Sequence, residues 1–296
     1  MKQFFKDCFA DFTHFIPDSL YLKLIYRLKM HKRLNLRNPE TFNEKLQWLK
    51  LHERKTIYST MVDKYEAKKY MKDALGSDYS IPTIGIFDSF EQIDFNSLPD
   101  QFVIKTTHDS GTVFICKKKD EFDFKKCKKV IEKRMKKNLY WRTREWPYKA
   151  VKPRIIVEKF IELGDNNQCP EYKIFCFNGK AKLVLVCQGQ AHGDGRSNDF
   201  FDADFNHLPV DSAYKRFCGV IDKPKYYFEM LQVAEKLAKN IPVLRVDFYC
   251  MQDYFLIGEM TFFHCSGLCK FSPEEYDYKF GQLIDLSAFR AEGEKE

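Results

Sequence analysis

Apolar residues follow two different spacings along this chain, one helical and one strand-like. Between Ser19 and Met71 they recur every three or four positions, which predicts helices, and the segment from Asn38 to Thr41 is typical of a helix start. Two later helices are predicted at 124–137 and 225–239, among runs that favour strands. These runs cover residues 81–87, 102–105, 112–116, 155–158, 172–177, 182–187, 244–249 and 255–261. Because most neighbouring strands follow one another as hairpins, the pattern predicts an α+β fold with antiparallel sheets instead of a Rossmann sheet.

The composition is that of a folded globular protein. The 296 residues are 44% hydrophobic and 31% charged, enough for one large or two moderate domains. Apolar runs are shorter than the roughly 18 residues that a membrane span needs. The first residues lack an apolar leader, so we expect a cytoplasmic protein. The 10 cysteines are scattered, and Cys265 and Cys269 have neither zinc-knuckle nor thioredoxin spacing; we interpret the cysteines as reduced packing residues.

The positive charge is confined to one half of the chain. Residues 1–150 carry 31 Lys and Arg against 20 Asp and Glu, whereas residues 151–296 carry 18 against 22. The segment from Lys117 to Lys149 alone carries 14 basic and 5 acidic residues. Such a segment attracts an anionic ligand such as a nucleotide, an acidic sugar or a membrane surface, although it can equally be a solvated helix face. No nucleic-acid-binding signature accompanies it, which disfavours nucleic acid as a partner.

Polar residues alternate along two consecutive predicted strands near the end of the chain. If this hairpin turns around Asp253, Asp247 lies opposite Glu259 and Arg245 lies opposite Thr261. Directly opposed residues have Cβ atoms about 4.5–5.5 Å apart, a distance at which two carboxylates repel. A divalent cation removes the repulsion, and oxygen ligands suit Mg²⁺. The alternative is a surface hairpin with incidental charges.

A second candidate site is a polar loop that follows an apolar strand. Lys105 ends the strand, and His108, Ser110 and Gly111 lie in the loop. The lysine offers a point charge to a phosphate, and the Ser-Gly turn offers backbone N–H groups and room for close approach. Neither a Walker A sequence nor GxGxxG occurs, so this would be a phosphate-binding loop of another kind.

A third candidate is the strand end that contains Glu158, Lys159 and Ile161. A strand that runs into an exposed Glu-Lys segment could offer main-chain donors and acceptors to an adenine edge, and apolar faces to its ring. An ordinary amphipathic strand is the alternative. Glu171 follows at the start of the next apolar run.

The order of these motifs resembles the ATP-grasp superfamily, in its TupA-like branch associated with teichuronopeptide and capsular polysaccharide biosynthesis. The resemblance runs from about Asp63 to Gly281, with a family-like segment upstream at 38–50. It implies an ATP-grasp fold with a helical N-terminal region over 1–78, a lid subdomain over 79–162 and a catalytic subdomain over 163–296. It also implies ATP and Mg²⁺ as cofactors.

The resemblance assigns roles to individual residues. Lys64 and Lys105 would hold the nucleotide phosphates, and a glycine loop with His108, Ser110 and Gly111 would cover them. A hinge made of Glu158, Lys159 and Ile161 would hold adenine, and the acidic residue Glu171 would hold the ribose. Arg245 would act on the transferring phosphoryl group, while Asp247 and Glu259 would hold Mg²⁺. Most relatives have Asn as a further metal ligand where this chain has Thr261.

The activity that the resemblance implies is ATP-dependent ligation of a carboxylate to an amine through an acyl phosphate. The family association suggests that the carboxylate belongs to a uronic acid of a cell-surface polysaccharide precursor. Trp141, Arg142 and Arg144 are substrate candidates, because rings stack on sugars and a guanidinium fork matches a carboxylate. Core packing of the tryptophan is the alternative.

Two other classes of function stay open from the residues alone. Asp202 and Asp204 form a DxD pair that could hold the metal of a glycosyltransferase acting in polysaccharide biosynthesis, although short acidic patterns are often turns. The basic segment from Leu22 to Arg37 could instead lie on anionic lipid, as in a scaffold at the inner membrane surface. The same segment could equally pack its apolar side on the protein.

Overall fold

The computed structural model describes residues 13–162, 170–189, 196–287 and 289. The described chain divides into two compact units. The four-stranded unit consists of residues 13–16, 55–73 and 80–162, and the five-stranded unit of residues 17–54, 74–79 and the described residues from 170 onward. The helical region expected over 1–78 contributes to both units, and its existence as a separate domain stays a prediction.

The four-stranded unit is built on one antiparallel sheet. Its strands are β1 (Thr83–Phe87), β2 (Phe102–Thr106), β3 (Val113–Cys116) and β4 (Ile155–Lys159). They lie in the order β1-β4-β2-β3. Buried and half-buried residues alternate along β2, so one face of this strand packs into the core. That core joins Phe102 and Val157 of the sheet to Cys127 and Ile131 of a helix.

The five-stranded unit is also built on an antiparallel sheet. Its strands are β5 (Glu171–Phe177), β6 (Lys180–Gln188), β7 (Ser197–Asp202), β8 (Val243–Cys250) and β9 (Phe255–Thr261). They lie in the order β7-β6-β5-β8-β9. The inner strands are almost continuously buried, as expected for strands that are covered on both faces.

Eight α-helices lie in the described residues. They are α1 (Asp18–Met30), α2 (Phe42–His52), α3 (Ile57–Val62), α4 (Glu66–Leu75), α5 (Phe124–Met135), α6 (Leu139–Thr143), α7 (Tyr227–Leu237) and α8 (Glu275–Gln282). Within the five-stranded unit, α7 packs on β5, β6 and β8, and α2 packs on α8. None of the helices in the described ranges is long and apolar enough to cross a membrane.

The structure confirms the predicted α+β class and each of the predicted strand runs. The helix start is also confirmed, because Thr41 caps α2: its hydroxyl accepts from the Glu44 N–H at 3.2 Å, and the Glu44 carboxylate accepts from the Thr41 N–H at 3.2 Å. The sequence pattern did not predict one further strand, β7, which Ser197–Asp202 forms.

Candidate active site

The hairpin of β8 and β9 carries the central polar cluster of the five-stranded unit. Asp247 pairs with Glu259 and Arg245 pairs with Thr261, which confirms the register predicted from the sequence. A bulge follows Asp247, so the pairing shifts by one residue toward the turn. The polar side chains share one face, while Val246 on the other face of β8 is completely buried.

Asp247 is held by two cations at once. Arg245 donates from Nε to Oδ1 at 2.6 Å and from Nη2 to Oδ2 at 2.8 Å, a bidentate pair. Lys173, directly opposite Asp247 on β5, donates from Nζ to Oδ2 at 2.5 Å. Burial alone would raise the pKa of Asp247, whose exposed fraction is 1%, but Arg245 and Lys173 hold that pKa below its usual value. The Asp247 carboxylate is therefore ionised.

The second carboxylate of the hairpin is more open. The Glu259 side chain is 45% exposed, and its Oε1 accepts from Arg245 Nη2 at 2.9 Å and from the Thr261 hydroxyl at 3.1 Å. Asp247, Glu259 and Thr261 offer only oxygen donors, the set that Mg²⁺ prefers. The donor chemistry of the hairpin therefore fits a magnesium ion.

The structure corrects one step of the sequence argument. The two opposed carboxylates do not depend on a metal to relieve their repulsion, because Arg245 lies between them and Lys173 adds a second positive charge. Lys173 also contacts Glu171 at 2.8 Å. Sequence analysis assigned no role to Lys173, although its period-2 spacing from Glu171 signalled a shared face.

In the four-stranded unit, Glu158 lies between two lysines. Lys105 Nζ is 2.7 Å from Glu158 Oε2, and Lys68 Nζ is 2.5 Å from Oε1. Burial by itself would raise the pKa of Glu158, but the two lysines hold that pKa below its usual value. Lys105 thus belongs to a partly buried charge cluster. Lys68 was missed because its pairing with Glu158 joins a helix to a strand far along the chain, which no local pattern indicates.

The loop after β2 is fixed at its base and open at its tip. The Asp109 carboxylate accepts from the Thr106 and Thr112 hydroxyls, and the Lys64 ammonium donates to the Asp109 carbonyl. Ser110 and Gly111 are exposed, and Gly111 has a φ of 90°, a conformation that favours glycine. This combination is typical of a loop that presents backbone N–H groups to a ligand.

His108 at the base of that loop is buried. Its Nε2 lies 3.1 Å from the carbonyl oxygens of Arg134 and Lys137, which makes this nitrogen the donor. Burial lowers the pKa of the ring, so His108 is neutral and anchors the loop to the end of α5. The assigned contact with nucleotide stays a prediction.

The remaining nucleotide candidates lie at strand ends. Lys159 has an exposed side chain, and its backbone N–H donates to the Pro82 carbonyl at 2.9 Å. Ile161 is half-buried two residues beyond the end of β4. Glu171 begins β5 and is paired with Lys173. The adenine and ribose roles of these residues stay predictions.

The three substrate candidates have structural partners within the four-stranded unit. Arg144 is completely buried, and it donates to the carbonyl oxygens of Thr13 at 2.6 Å and of Trp141 at 2.8 Å. The Trp141 ring stacks on His14 with centroids 4.0 Å apart. Arg142 is half-buried on α6. These contacts give Arg144 and Trp141 packing roles, and the substrate role of all three residues stays a prediction.

The DxD pair of the alternative function belongs to a turn. The Asp202 carboxylate accepts from the backbone N–H groups of Asp204 at 3.0 Å and of Asn206 at 2.8 Å, and from the Asn206 side chain at 2.8 Å. This is the local hydrogen bonding by which Asp stabilises turns. Asp202 therefore has a structural role at the end of β7.

Comparison with solved structures finds distant likenesses. The D-alanine–D-alanine ligase from Bacillus anthracis, complexed with ATP, is 16% identical over 80% of this chain and 69% of its own, with a TM-score of 0.45. The ligase of the same name from Helicobacter pylori is 15% identical over 82% and 69%, with a TM-score of 0.41. The N5-carboxyaminoimidazole ribonucleotide synthetase from Thermus thermophilus is 11% identical over 68% and 45%, with a TM-score of 0.37. A search of curated proteins found no significant match.

A family model decides the class of this protein. The model described as TupA-like ATPgrasp matches residues 44–285, most of the chain. The fold is thus an ATP-grasp fold, and the protein is an ATP-dependent ligase that uses ATP and Mg²⁺. The chain belongs to the TupA-like ATP-grasp family, which confirms the resemblance seen in the sequence.

Proposed function

We propose that this ligase activates the carboxylate of a uronic acid in a cell-surface polysaccharide precursor and joins it to an amine. The arrangement of Arg245, Asp247 and Glu259 supports the activation step most strongly, because it combines two carboxylates with a guanidinium that contacts both. A free carboxylate does not react with amines, since oxide is a prohibitive leaving group. Phosphorylation converts it to an acyl phosphate, from which the amine displaces phosphate.

Each residue has a defined part in this proposal. Lys64 and Lys105 bind phosphate oxygens, and Arg245 stabilises the charge of the transferring phosphoryl group. Asp247 and Glu259 would hold Mg²⁺, which supplies charge neutralisation at the phosphates. Catalysis then depends on positioning and electrostatics, and it requires no nucleophile from the protein.

Two observations support an acidic sugar as the substrate. The segment from Lys117 to Lys149 carries 14 basic and 5 acidic residues, which attracts anions. Arg142 lies in this segment and is half-buried. The family association with surface polysaccharides points in the same direction.

A peripheral contact with an anionic membrane is a second part of the proposal. Leu20, Leu24 and Leu28 are exposed and lie four residues apart, on one face of α1. Lys23 and Arg27 on the same helix are exposed as well. An exposed apolar row beside basic residues suits the surface of an anionic bilayer. Such contact would place a cytoplasmic ligase beside lipid-linked precursors.

The decisive experiment measures ADP release from ATP and Mg²⁺ with a panel of uronic acid derivatives and amines. Formation of ADP that requires both a uronic acid and an amine supports the proposal. UDP-sugar hydrolysis, measured in parallel, or stronger thermal stabilisation by UDP-sugars than by ATP would favour a glycosyltransferase and overturn it.

The membrane contact has its own test. Vesicles of phosphatidylglycerol should sediment the full chain, whereas vesicles of phosphatidylcholine should not. Leu24→Ser should weaken the sedimentation, and Ile57→Ser, at an exposed apolar position on α3, serves as the control. Equal binding of the Leu24→Ser variant would exclude α1 as the contact.

A further inference from the structure

Two cysteines and a histidine that the proposed reaction does not use lie together beside Arg245. The ligand atoms of His264, Cys265 and Cys269 are all within 4.8 Å of one another. Both cysteines are free thiols. His264 Nε2 lies 3.5 Å from Cys265 Sγ, and His264 Nδ1 lies 2.9 Å from Arg245 Nη1.

The backbone that carries this cluster has an unusual conformation. Cys265, Ser266 and Gly267 are three consecutive residues with positive φ, at 48°, 56° and 62°. The left-handed region is uncommon for residues other than glycine, and such strain persists only where the surroundings hold it. The loop therefore needs specific partners.

Those partners come from one face of α2. Gln47 Nε2 donates to the carbonyl oxygens of Ser266 at 2.9 Å and Gly267 at 2.7 Å, and Lys50 Nζ donates to the Ser266 carbonyl at 3.0 Å. Asn43 holds the other end of the loop. Because positions 43, 47 and 50 recur at helical spacing, a single helix face holds the loop that carries both thiols.

Asn43 positions Cys269 through its backbone. The Asn43 side chain donates to the Cys269 carbonyl at 2.8 Å and accepts from the Cys269 N–H at 2.8 Å. These two bonds fix the Cys269 backbone and leave its thiol group out of the pairing. Asn43 thus holds the backbone that carries the second sulfur.

The hydrogen bonds settle which nitrogen of His264 carries the proton. Arginine has donors only, so Arg245 Nη1 donates and His264 Nδ1 accepts. The ring proton is then on Nε2, which faces Cys265 Sγ. An N–H donor of this kind stabilises the thiolate form of Cys265.

The two thiols differ in character. A hydrogen bond from the Cys269 thiol, together with His264, holds the pKa of Cys265 well below its usual value. The same hydrogen bond and burial raise the pKa of Cys269 well above its usual value. Cys265 is exposed, whereas Cys269 is buried. A low-pKa thiolate beside a second thiol is the pattern of a redox-sensitive cysteine with its resolving partner.

We propose that Cys265 and Cys269 form a reversible thiol-oxidation site for hydroperoxides. The Cys265 thiolate attacks the distal oxygen of the hydroperoxide, the O–O bond breaks, and Cys265 becomes a sulfenic acid while the peroxide leaves as the alkoxide or hydroxide. The Cys269 sulfur then attacks the Cys265 sulfur, forms the disulfide and releases water. Two electrons pass from the two thiols to the peroxide, and a dithiol reverses the change.

A soft metal ion is the competing use of the same atoms, and the proton positions disfavour it. Coordination through His264 Nε2 would move the ring proton to Nδ1, where it would oppose the Arg245 N–H. Thiol oxidation needs no such rearrangement. The experiment must therefore be able to detect a bound metal ion.

The test uses the full chain, reduced, desalted and treated with hydrogen peroxide at neutral pH. Aliquots are alkylated with iodoacetamide and mapped by mass spectrometry. Cys265 should be oxidised about tenfold faster than Cys218, an exposed cysteine of the same unit, because the Cys269 thiol and His264 favour the thiolate form of Cys265. The product should be the Cys265–Cys269 disulfide, with the loss of two hydrogen atoms, and dithiothreitol should restore both thiols.

Two variants divide the steps. Cys269→Ser should stop the reaction at the sulfenic acid, trapped by dimedone at Cys265, while Cys218→Ser should change nothing. Equal oxidation rates of Cys265 and Cys218 in the unmodified chain would overturn the proposal, as would a product without Cys269. Stoichiometric zinc retained by the purified chain and lost in Cys265→Ser would also overturn it, in favour of a metal site. All these readouts are independent of ligase activity.

Discussion

Lys173 and Asp247 face each other across the centre of the larger sheet, with Nζ and Oδ2 2.5 Å apart. The pair is almost completely excluded from solvent, since the two side chains are 11% and 1% exposed. Arg245 binds the same carboxylate from the side. Lys173 therefore positions the carboxylate that the proposed reaction requires, and it does so from a strand outside the hairpin motif.

Replacing Lys173 by Met tests this positioning role. The substitution keeps the length of the side chain and removes its charge, so Asp247 retains Arg245 alone. We expect a loss of about 1–3 kcal/mol in the free energy of unfolding, the cost of leaving a buried charged acceptor with one donor fewer. We also expect a lower kcat, measured by ADP release.

The matched control is Lys180→Met on the neighbouring strand. Lys180 pairs with Glu235 at 3.0 Å, but its side chain is 70% exposed, and pairs of this kind contribute little. An equal loss of stability in both variants would show that the Lys173–Asp247 pair has no special role.

The phosphoryl-transfer site is tested by Arg245→Ala and Glu259→Gln. Arg245→Ala removes the cation that stabilises the charge of the phosphoryl group, and Glu259→Gln removes a carboxylate that would hold Mg²⁺. Loss of one such electrostatic contribution typically lowers kcat by about 10² to 10³-fold. The melting temperature and circular dichroism of both variants should show a folded protein. Asp202→Asn should retain substantial activity, because Asp202 stabilises a turn. Loss of activity in Asp202→Asn with a functional Glu259→Gln variant would mean that the metal site is elsewhere.

The hairpin site could be predicted because its geometry is local. A strand repeats every two residues and the turn is short, so the positions of Arg245, Asp247, Glu259 and Thr261 in the chain determined their pairing. The family-like order of the motifs then indicated the ATP-grasp fold. The hairpin register needs only residues that are close in sequence, and the fold inference needs only the order of the motifs along the chain.

Contacts between distant segments could not be predicted in this way. The partners of Glu158 and Asp247, which are Lys68 and Lys173, depend on which strands and helices become neighbours. Strand β7 was missed because its first residues are polar; Asp199 is nevertheless completely buried, with its carboxylate accepting from Ser197 at 3.0 Å and from the Phe217 N–H at 3.1 Å. Side-chain pairing thus made a polar segment compatible with a sheet.

Acid stability should depend on Glu158. Because the pKa of Glu158 is lower in the folded chain than in the unfolded chain, its ionisation stabilises the fold above the ordinary value of about 4.3. That contribution is lost as the pH falls through the lower pKa of the folded state. We therefore expect the free energy of unfolding to decline below about pH 4.

Urea unfolding of Glu158→Gln as a function of pH checks this expectation. The variant should be less stable at neutral pH, since Lys105 and Lys68 lose the carboxylate between them, and its stability should decline less steeply in acid. Lys68→Met should give an intermediate slope, because Lys105 stays beside the carboxylate. The same slope in all three proteins would contradict the role of Glu158.

The substrate proposal predicts a specific effect of Arg142→Lys. Lysine cannot form the bidentate pair that a guanidinium forms with a carboxylate, so KM for the sugar acid should rise while KM for ATP changes little. Arg144→Lys is the informative comparison, because Arg144 is buried among backbone carbonyls and its substitution should lower the melting temperature instead. An unchanged KM for the sugar acid in Arg142→Lys would remove Arg142 from the substrate site.

Oxidation of the Cys265–Cys269 pair should slow the ligase through His264. In the reduced chain, one nitrogen of His264 faces Cys265 and the other accepts from Arg245. Formation of the disulfide moves the Cys265 sulfur toward Cys269 and removes the acceptor of the Nε2 proton, so His264 no longer holds Arg245 in the same position. If Arg245 acts on the phosphoryl group as proposed, kcat for ADP release should fall about tenfold on peroxide treatment, as expected when a group that stabilises the transition state is displaced.

Dithiothreitol should restore the rate, and the Cys269→Ser variant, which cannot form the disulfide, separates the effect of the disulfide from that of the sulfenic acid. A chain that carries the disulfide and works at the full rate would show that the thiol pair and Arg245 are uncoupled, whereas the oxidation site itself would stand on its mass-spectrometric evidence.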